Sequence, residues 1–145
     1  MNKHVEFSIG EAARRSGVKV PTIRYYEEIG LLPHISRSLG NRRLYDEAGL
    51  RRLAFIRHAR ELGFDVEAIR TLLELQDDPE QPCQRADAIA KARLADVRKR
   101  LASLRLLSAE LEKMVRECAS GRVGECRVIE TLADDNHQHG RLADS

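Results

Sequence analysis

Residues 84–117 form a long uninterrupted stretch that contains no glycine and no proline. Within it and just beyond it, apolar or small residues recur at alternating steps of three and four, the pattern of a coiled-coil seam. These residues are Leu94, Val97, Leu101, Leu104, Ser108, Leu111, Val115 and Cys118. A helix of this length extends ~50 Å, and a short chain has little else to cover its apolar side. We therefore expect the helix to pair with a second copy of the chain; the alternative is that it folds back on its own domain.

Composition favours a mainly helical protein with one small domain and an extension. Of the 145 residues 42% are hydrophobic, but only 4% are aromatic and none is tryptophan. Leucine, isoleucine, valine and alanine must therefore form the core, which disfavours an all-β sandwich. The length also excludes a large multidomain enzyme.

The sequence carries no feature typical of a membrane or secreted protein. No apolar run approaches the ~18 residues that a membrane span requires, and residues 1–7 are too polar for a signal peptide. Three cysteines, an odd number, do not indicate a disulfide framework. We expect reduced thiols, a cytoplasmic location and no membrane partner.

Positive charge is concentrated in the first third of the chain. Residues 14–60 contain 11 lysines and arginines against four acids, although the formal net charge of the whole chain is only +2. Such a basic segment is typical of a module that binds a polyanion. A well-solvated basic surface is the alternative.

The N-terminal segment predicts a helix-turn-helix. Ser8 and Glu11 form a capping-box pattern that opens a helix over residues 9–15, which Ser16-Gly17 ends. Pro21 suits the first turn of a second helix, over residues 21–27, and Gly30 suits the left-handed residue that closes it. Two short helices joined in this way have helix-turn-helix geometry.

A small β-hairpin wing and two further helices are predicted next. Gly40 and Asn41 supply positive-φ residues between two extended arms within residues 36–45. Asp46 can cap a third helix to about residue 62, ended by Gly63, and Asp65 can cap a fourth. The fourth helix has one apolar face, which consists of Val66, Ile69, Leu72 and Leu73.

The part after the long helix is expected to hold a loop, a short helix and a polar tail. Residues 119–125 contain two glycines and predict a loop, whereas residues 126–133 predict a short helix with Val128, Ile129 and Leu132 facing inward. Residues 134–145 are polar and predict a disordered tail.

The cysteines are candidate metal ligands. Cys83 precedes the long helix, Cys118 lies at its last turn and Cys126 follows the loop, so Cys83 is ~50 Å from the others within one chain. In an antiparallel helix pair, Cys83 of one subunit can join Cys118 and Cys126 of its partner. Thiolates select soft ions such as zinc, cadmium, lead or mercury. The alternative for Cys118, which occupies a seam position, is a small core residue.

The recognition helix and the wing offer candidate DNA contacts. Arg24 can reach a phosphate or a base edge, and Tyr25 can pack against the backbone, whereas Tyr26 is expected in the core. On the wing, four side chains can grip neighbouring phosphates: Arg37, Asn41, Arg42 and Arg43.

Four stretches together resemble the MerR (mercury-resistance regulator) family of transcription activators. They are TIRYYE at 22–27, GLL at 30–32, RSLGNRRLY at 37–45 and FIRHARELGF at 55–64. The resemblance covers residues 8 to about 76 almost without gaps. The order of Cys83, long helix, Cys118, loop and Cys126 resembles the heavy-metal-sensing branch of the family.

The resemblance implies the fold, the partners and the DNA-binding positions. The expected fold is mainly α: a winged helix-turn-helix domain at 7–76, a helix at 84–117 that forms an antiparallel coiled-coil homodimer, a metal-binding loop and short helix at 118–133, and the tail. Relatives bind a palindrome in a promoter spacer and, with metal bound, distort it for RNA polymerase. By position, the residues matching DNA-contacting or DNA-facing sites are Arg24, Tyr25, Arg37, Arg43, Tyr45 and Arg57; Arg42 stands where many relatives have tyrosine.

The resemblance also narrows the ion. Members that sense monovalent copper, silver or gold generally lack a thiol at the position of Cys83, and zinc sensors tend to have an extra cysteine and a histidine in the loop, where this chain has neither. A divalent ion is therefore expected: cadmium, lead, mercury or zinc. His137 and His139 resemble the histidine-bearing tail of some cadmium sensors and form a candidate accessory site; a solvated tail is the alternative.

Other functions fit the sequence less well. A redox regulator of the same fold would use thiol oxidation or an iron–sulfur cluster, but a cluster normally takes four cysteines. A zinc enzyme or thiol oxidoreductase is disfavoured because the chain has no Cys-x-x-Cys, His-Glu-x-x-His or phosphate loop. A metal-buffering thiolate protein is the remaining alternative, against which the basic recognition helix argues. We expect no enzymatic activity.

Overall fold

The protein is mainly helical, as expected. The computed structural model describes residues 5–33, 36–117 and 121–139. The elements in chain order are β1 (Phe7–Ser8), α1 (Ile9–Ser16), α2 (Val20–Glu28), β2 (Ser36–Arg37), β3 (Arg43–Tyr45), α3 (Glu47–Glu61), α4 (Val66–Gln76), α5 (Gln84–Glu117), a 3₁₀ turn (Val123–Glu125) and α6 (Arg127–Ala133). The chain divides into two compact units, residues 1–89 and 90–145. Among the described residues, no helix has the length and apolarity needed to cross a membrane.

Helices α1 and α2 form the predicted helix-turn-helix. The Ser8 side chain accepts a hydrogen bond from the Glu11 amide, and Gly17 ends α1 with a φ of 75°. Only this half of the capping box forms, because the Glu11 carboxylate instead accepts hydrogen bonds from the side chains of Arg14 and Arg15. Helix α2 begins without a side-chain cap, and Gly30, with a φ of 78°, adopts the left-handed conformation expected at its end.

The wing differs from the prediction in its turn and in its strand count. Strand β3 pairs antiparallel with both β2 and β1, so the sheet has three strands in the order β1-β3-β2. The two residues of β1 are too few for a strand to be predicted. Only Asn41 has a positive φ, of 61°, so the prediction that Gly40 shares it is wrong. The Asn41 amide donates to the Ser38 carbonyl, which closes a four-residue turn. Asn41 is the last residue of this turn, and its left-handed conformation alone suffices to return the chain.

The core of the first unit is aliphatic. Its largest fully buried side chains come from α2, the segment after it, α3 and α4: Ile23, Leu31, Leu53, Ile56, Ile69 and Leu73. Asp46 and Asp65 cap α3 and α4 as predicted, each accepting a hydrogen bond from the amide three residues later. These caps fix where both helices begin, and so which faces reach the core.

In the second unit, the seam of α5 is open in the single chain. Its apolar residues between Leu94 and Val115 are 41% to 72% exposed, whereas Met114 is buried. The predicted inward face of α6 is wrong for Ile129 and Leu132, which are 49% and 70% exposed. Thr131 is buried instead. At 100° per residue, a face centred on Thr131 includes Val128 but leaves Leu132 at its edge and Ile129 near the opposite side.

Some predictions concern residues outside the described ranges. Cys118 at the end of the seam lies there, as do residues 119–120 of the loop and 140–145 of the tail. The described part of the loop contains the 3₁₀ turn. The division into functional domains and the disorder of the tail stay predictions.

We expect Ile56→Ala to lower the free energy of unfolding by about 2–5 kcal/mol, because Ile56 is fully buried and its truncation leaves a cavity. Leu39→Ala is the matched control: Leu39 is fully exposed on the wing turn, and its loss should change stability by less than about 0.5 kcal/mol. Urea denaturation followed by circular dichroism at fixed protein concentration measures both. Equal losses in the two variants would contradict this core.

Candidate nucleic-acid interface and thiolate residues

Helix α2 separates its core residues from its polar residues within one turn. Ile23 and Tyr26 are buried, as predicted for Tyr26, whereas Arg24 is exposed and Tyr25 is about half exposed. The spacing of three between Ile23 and Tyr26 keeps both on the core side of the helix. Arg24 and Tyr25 are thus presented together on the open side, where a nucleic acid can meet them.

A carboxylate on α2 binds two side chains of the wing strand. Arg43 Nε donates to Glu27 Oε2 at 2.6 Å, and the Tyr45 hydroxyl donates to Glu27 Oε1. The Glu27 side chain is only 15% exposed. Burial and the Glu27 carboxylate raise the pKa of Tyr45, so this phenol stays a donor over the whole physiological pH range. The contact fixes β3 against the recognition helix.

The Glu27 contact changes the predicted role of Tyr45. Tyr45 is 3% exposed, so its side chain has almost no surface to offer DNA in this conformation. We therefore revise its role from a DNA contact to a support for the wing. Arg43 is partly exposed, and its charge is already paired with Glu27.

The other wing residues are open to solvent. Arg37, Asn41 and Arg42 are exposed, and Arg37 donates to the Asn41 carbonyl at 3.2 Å. The Arg42 amide donates to the Ser38 hydroxyl at 3.2 Å, which secures the turn. The wing therefore presents two arginines and an amide side chain from a hydrogen-bonded hairpin.

Arg57 lies on α3 near the start of the recognition helix. Its Nη1 is 2.9 Å from Glu61 Oε1, while its Nε is buried and has no hydrogen-bond partner in the part of the chain that the structure describes. Arg57 lines a surface depression of about 370 Å³ together with Lys19, Thr22 and Arg60. Glu61, the partner of Arg57, also lines the depression, so three cations face one carboxylate. With the hydroxyl and the amino end of a helix, this surface stays net positive and can attract an anion such as a phosphate.

Sequence reasoning named the exposed cations but missed the acid that organises them. Glu27 is one of only four acids in the basic segment, but Glu28 directly follows it, so no signal in the sequence distinguishes Glu27. Its partners, 16 and 18 residues further on, belong to a pairing that no local pattern specifies. Lys19 and Arg60 were likewise not proposed as DNA contacts, because only the folded chain places them beside Arg57.

Two of the three cysteines lie in the described ranges, and each precedes a helix. Cys83 is exposed, and its carbonyl accepts from the Asp87 amide at 2.9 Å in the first turn of α5. Cys126 is partly buried, and its carbonyl accepts from the Glu130 amide at 3.0 Å in α6. Among the residues described, no three histidine, cysteine, aspartate or glutamate side chains converge within one chain.

The candidate accessory histidines lie beside the long helix. Nε2 of His137 is 2.7 Å from Glu110 Oε1, and the rings of His137 and His139 are 5.8 Å apart between centroids. Both border an open, largely apolar groove of about 990 Å³ in the second unit. The apolar side chains of the groove are Leu104, Leu107, Leu111, Met114, Val115, Val128 and Leu132. Several of them belong to the seam of α5.

Comparisons with known proteins identify the family of this chain. Residues 7–76 match the family described as MerR HTH family regulatory protein, and residues 50–114 match MerR, DNA binding. The HTH-type transcriptional regulator ZntR of Escherichia coli (strain K12) is 40% identical over 129 residues, which cover 87% of this chain and 92% of that protein. The chain belongs to the MerR family. As a MerR-family protein it is a DNA-binding transcriptional regulator and not an enzyme.

The chain is also similar to two solved structures of metal-bound transcription regulators. The transcription regulator PbrR691 from Ralstonia metallidurans CH34, in complex with lead(II), is 42% identical with a TM-score of 0.74 and covers 88% of this chain and 99% of that one. The dual function transcriptional regulator MerR from Bacillus megaterium MB1, in complex with a mercury(II) ion, is 31% identical with a TM-score of 0.64. That match covers 88% of this chain and 100% of the other.

We expect Glu27→Gln to weaken binding to a promoter fragment about tenfold, because the amide cannot hold both Arg43 and Tyr45 as a carboxylate does. Glu27→Gln should leave the steepness of log affinity against log salt unchanged. Arg24→Ala should reduce that steepness by about one, because it removes a phosphate contact. Fluorescence anisotropy of labelled DNA at several salt concentrations measures both effects.

Glu28→Gln is the control for Glu27→Gln, because Glu28 is exposed on the same helix and its substitution removes the same charge. If the two variants bind the fragment equally well, Glu27 does not organise the wing.

Proposed function

We propose that this MerR-family chain is a metal-responsive activator that binds a palindromic promoter spacer as a homodimer. A divalent heavy-metal ion bound by Cys83, Cys118 and Cys126 would distort the DNA and realign the promoter for RNA polymerase. We assign DNA binding to residues 7–76, dimerisation to 84–117 and metal binding to 118–133, with 134–145 as the tail. The observation that carries the proposal is the position of the thiols beyond both ends of a long helix whose apolar seam is open.

The open seam supports a dimer. Soluble monomers rarely expose a continuous apolar stripe of this kind, and the groove beside α5 extends it. A helix from a second copy can cover the seam by knobs-into-holes packing. An antiparallel pair has two-fold symmetry, which matches a palindromic site with one recognition helix in each half.

The same arrangement supports a shared metal site. Helix α5 has 34 residues, ~50 Å, so it separates Cys83 from the two later cysteines of its own chain. In an antiparallel pair, the start of one α5 lies beside the end of the other. Each end of the dimer then has one thiol from one subunit and two from its partner.

The donor set fits a soft divalent ion. Three thiolates are soft and anionic, which favours cadmium, lead, mercury or zinc and disfavours magnesium or calcium. The lead(II) and mercury(II) complexes of the two similar regulators support this class of effector. We keep His137 and His139 as a candidate accessory site, because their rings are adjacent and close to Glu110.

On the DNA side, we assign direct contacts to the exposed polar residues. They are Arg24 and Tyr25 on α2, Arg37 and Asn41 on the wing, and Arg57 in the depression beside Lys19 and Arg60. Arg43 and Tyr45 act mainly by holding the wing through Glu27. Phosphate contacts of this kind set the register on the duplex, and base edges supply specificity.

The energies allow such a switch. Structural zinc binding is worth ~10 kcal/mol or more in small peptides, whereas bending a site of 20–30 base pairs costs roughly 1–6 kcal/mol by elastic estimates. Only part of the binding energy has to differ between the two dimer shapes.

We expect the reduced, metal-free protein to bind one cadmium(II) ion per subunit, with sulfur-to-metal charge-transfer absorption, and Cys83→Ser to lose this ion. His137→Ala is the control and should retain it, because His137 is not among the three thiolates. Titrations with zinc(II), lead(II), mercury(II) and copper(I) give the rank order.

Tight copper(I) binding that Cys83→Ser leaves unchanged would instead support a monovalent sensor. Metal binding with no DNA binding would support the metal-buffering alternative, and DNA binding that responds only to oxidants would support a redox regulator.

A further inference from the structure

One arginine of the DNA-binding unit joins two segments that are distant in sequence. Arg52, on α3, donates from Nε to the Leu31 carbonyl at 2.8 Å. Its Nη1 donates to both carboxylate oxygens of Asp77, each at 3.1 Å. The Arg52 side chain is only 19% exposed, so its guanidinium is confined between these two partners.

The first partner lies at the end of the recognition helix. The Leu31 amide donates to the Tyr26 carbonyl at 2.9 Å, and the Leu31 side chain is buried in the core. A displacement of the Leu31 backbone therefore shifts the end of α2, the helix that carries Arg24 and Tyr25.

The second partner, Asp77, lies where the connection from α4 to α5 begins. Asp77 caps the end of α4, and the connection to Cys83 follows it. This connection is a preset turn: Pro79 occupies the position after Asp78, the Gln81 amide donates to the Asp78 carbonyl at 3.0 Å, and Pro82 restricts the last step. A stiff connection passes on a displacement that a flexible one would absorb.

We propose that Arg52 is the positioning residue that couples the entrance of α5 to the recognition helix, through Asp77 on one side and the Leu31 carbonyl on the other. The inference rests on the proposed function, since it takes Cys83 as a metal ligand. When the ion fixes Cys83, the rigid turn moves Asp77, and the planar guanidinium carries that movement to the end of α2. Lysine cannot replace Arg52, because a single ammonium cannot meet both partners with this geometry.

The Arg52–Asp77 ion pair can be removed with little effect on the stability of the fold, so its role in the metal response can be measured separately. Asp77 is 60% exposed, and pairs with one exposed partner contribute little to the stability of a fold. Removing its charge should therefore leave the folded unit, its affinity for DNA without metal and its thiolates intact. What it should remove is the transmission of metal binding to the recognition helix.

The test compares Asp77→Asn with Asp78→Asn in the full-length protein. Asp78 is the matched control, because it carries the same charge one residue later and its side chain accepts from Gln81 Nε2 rather than from Arg52. Three quantities are measured: cadmium(II) binding by charge-transfer absorption, affinity for a promoter fragment without metal, and the ratio of in vitro transcription with and without cadmium(II).

We expect Asp77→Asn to reduce the cadmium(II)-dependent transcription ratio about fivefold, within the range seen for coupling residues. Its metal binding and metal-free DNA affinity should stay within about twofold of wild type. Asp78→Asn should match wild type in all three. Arg52→Lys should reduce the cadmium(II)-dependent transcription ratio to a similar extent as Asp77→Asn.

If wild type responds to cadmium(II) and Asp77→Asn shows the same transcription ratio with and without cadmium(II), the coupling role is overturned, whereas the proposed function stands. Loss of metal-free DNA affinity with a retained ratio would also overturn it, since that result marks a structural role alone. If wild type itself shows no response to cadmium(II), the proposed function fails before the variants are compared.

Discussion

Assembly of this protein depends on an apolar seam that one chain leaves uncovered. Helix α5 has the length of a long coiled-coil segment and the spacing of one, and its seam residues remain open to solvent in the single chain. Burial of this stripe is a hydrophobic driving force for association that no other part of the described chain matches. The seam calls for a second copy of α5, and the antiparallel direction that we propose for the pair would bring the thiols together, because it places the start of one helix beside the end of the other.

The DNA-binding unit depends on acids placed inside a cationic segment. Glu27 joins the recognition helix to the wing, and Asp77 receives Arg52, which also holds the backbone that follows the recognition helix. A surface made only of arginines would repel itself and leave each side chain mobile. The two carboxylates pair with Arg43 and Arg52 and hold them in place. Arg24, Arg37 and Arg57 are the arginines that we propose to face a polyanion.

Much of the fold was predictable because it is specified locally. Ser8, Asp46 and Asp65 each cap a helix with the amide three residues later, and Gly30 closes the recognition helix as expected. The errors concern features that a local pattern does not determine. One left-handed residue in the wing turn suffices, so Gly40 was not needed; the buried face of the seven-residue α6 was ambiguous; and Tyr45 is buried because of Glu27, 18 residues away. For the thiolate site, the chain carries all three cysteines, but the proposed site combines Cys83 of one subunit with Cys118 and Cys126 of its partner, a pairing between copies that no local pattern specifies.

The most direct test of the central claim is a mixed dimer. One chain carries Cys83→Ser and the other, with a different affinity tag, carries Cys118→Ser and Cys126→Ser, and the heterodimer is isolated by sequential purification. We predict that neither homodimer binds cadmium(II) tightly, whereas the heterodimer binds one ion per dimer with thiolate charge-transfer absorption, since one end regains all three thiols. A heterodimer that binds no ion, or a homodimer that keeps its ion, would contradict a site shared between subunits.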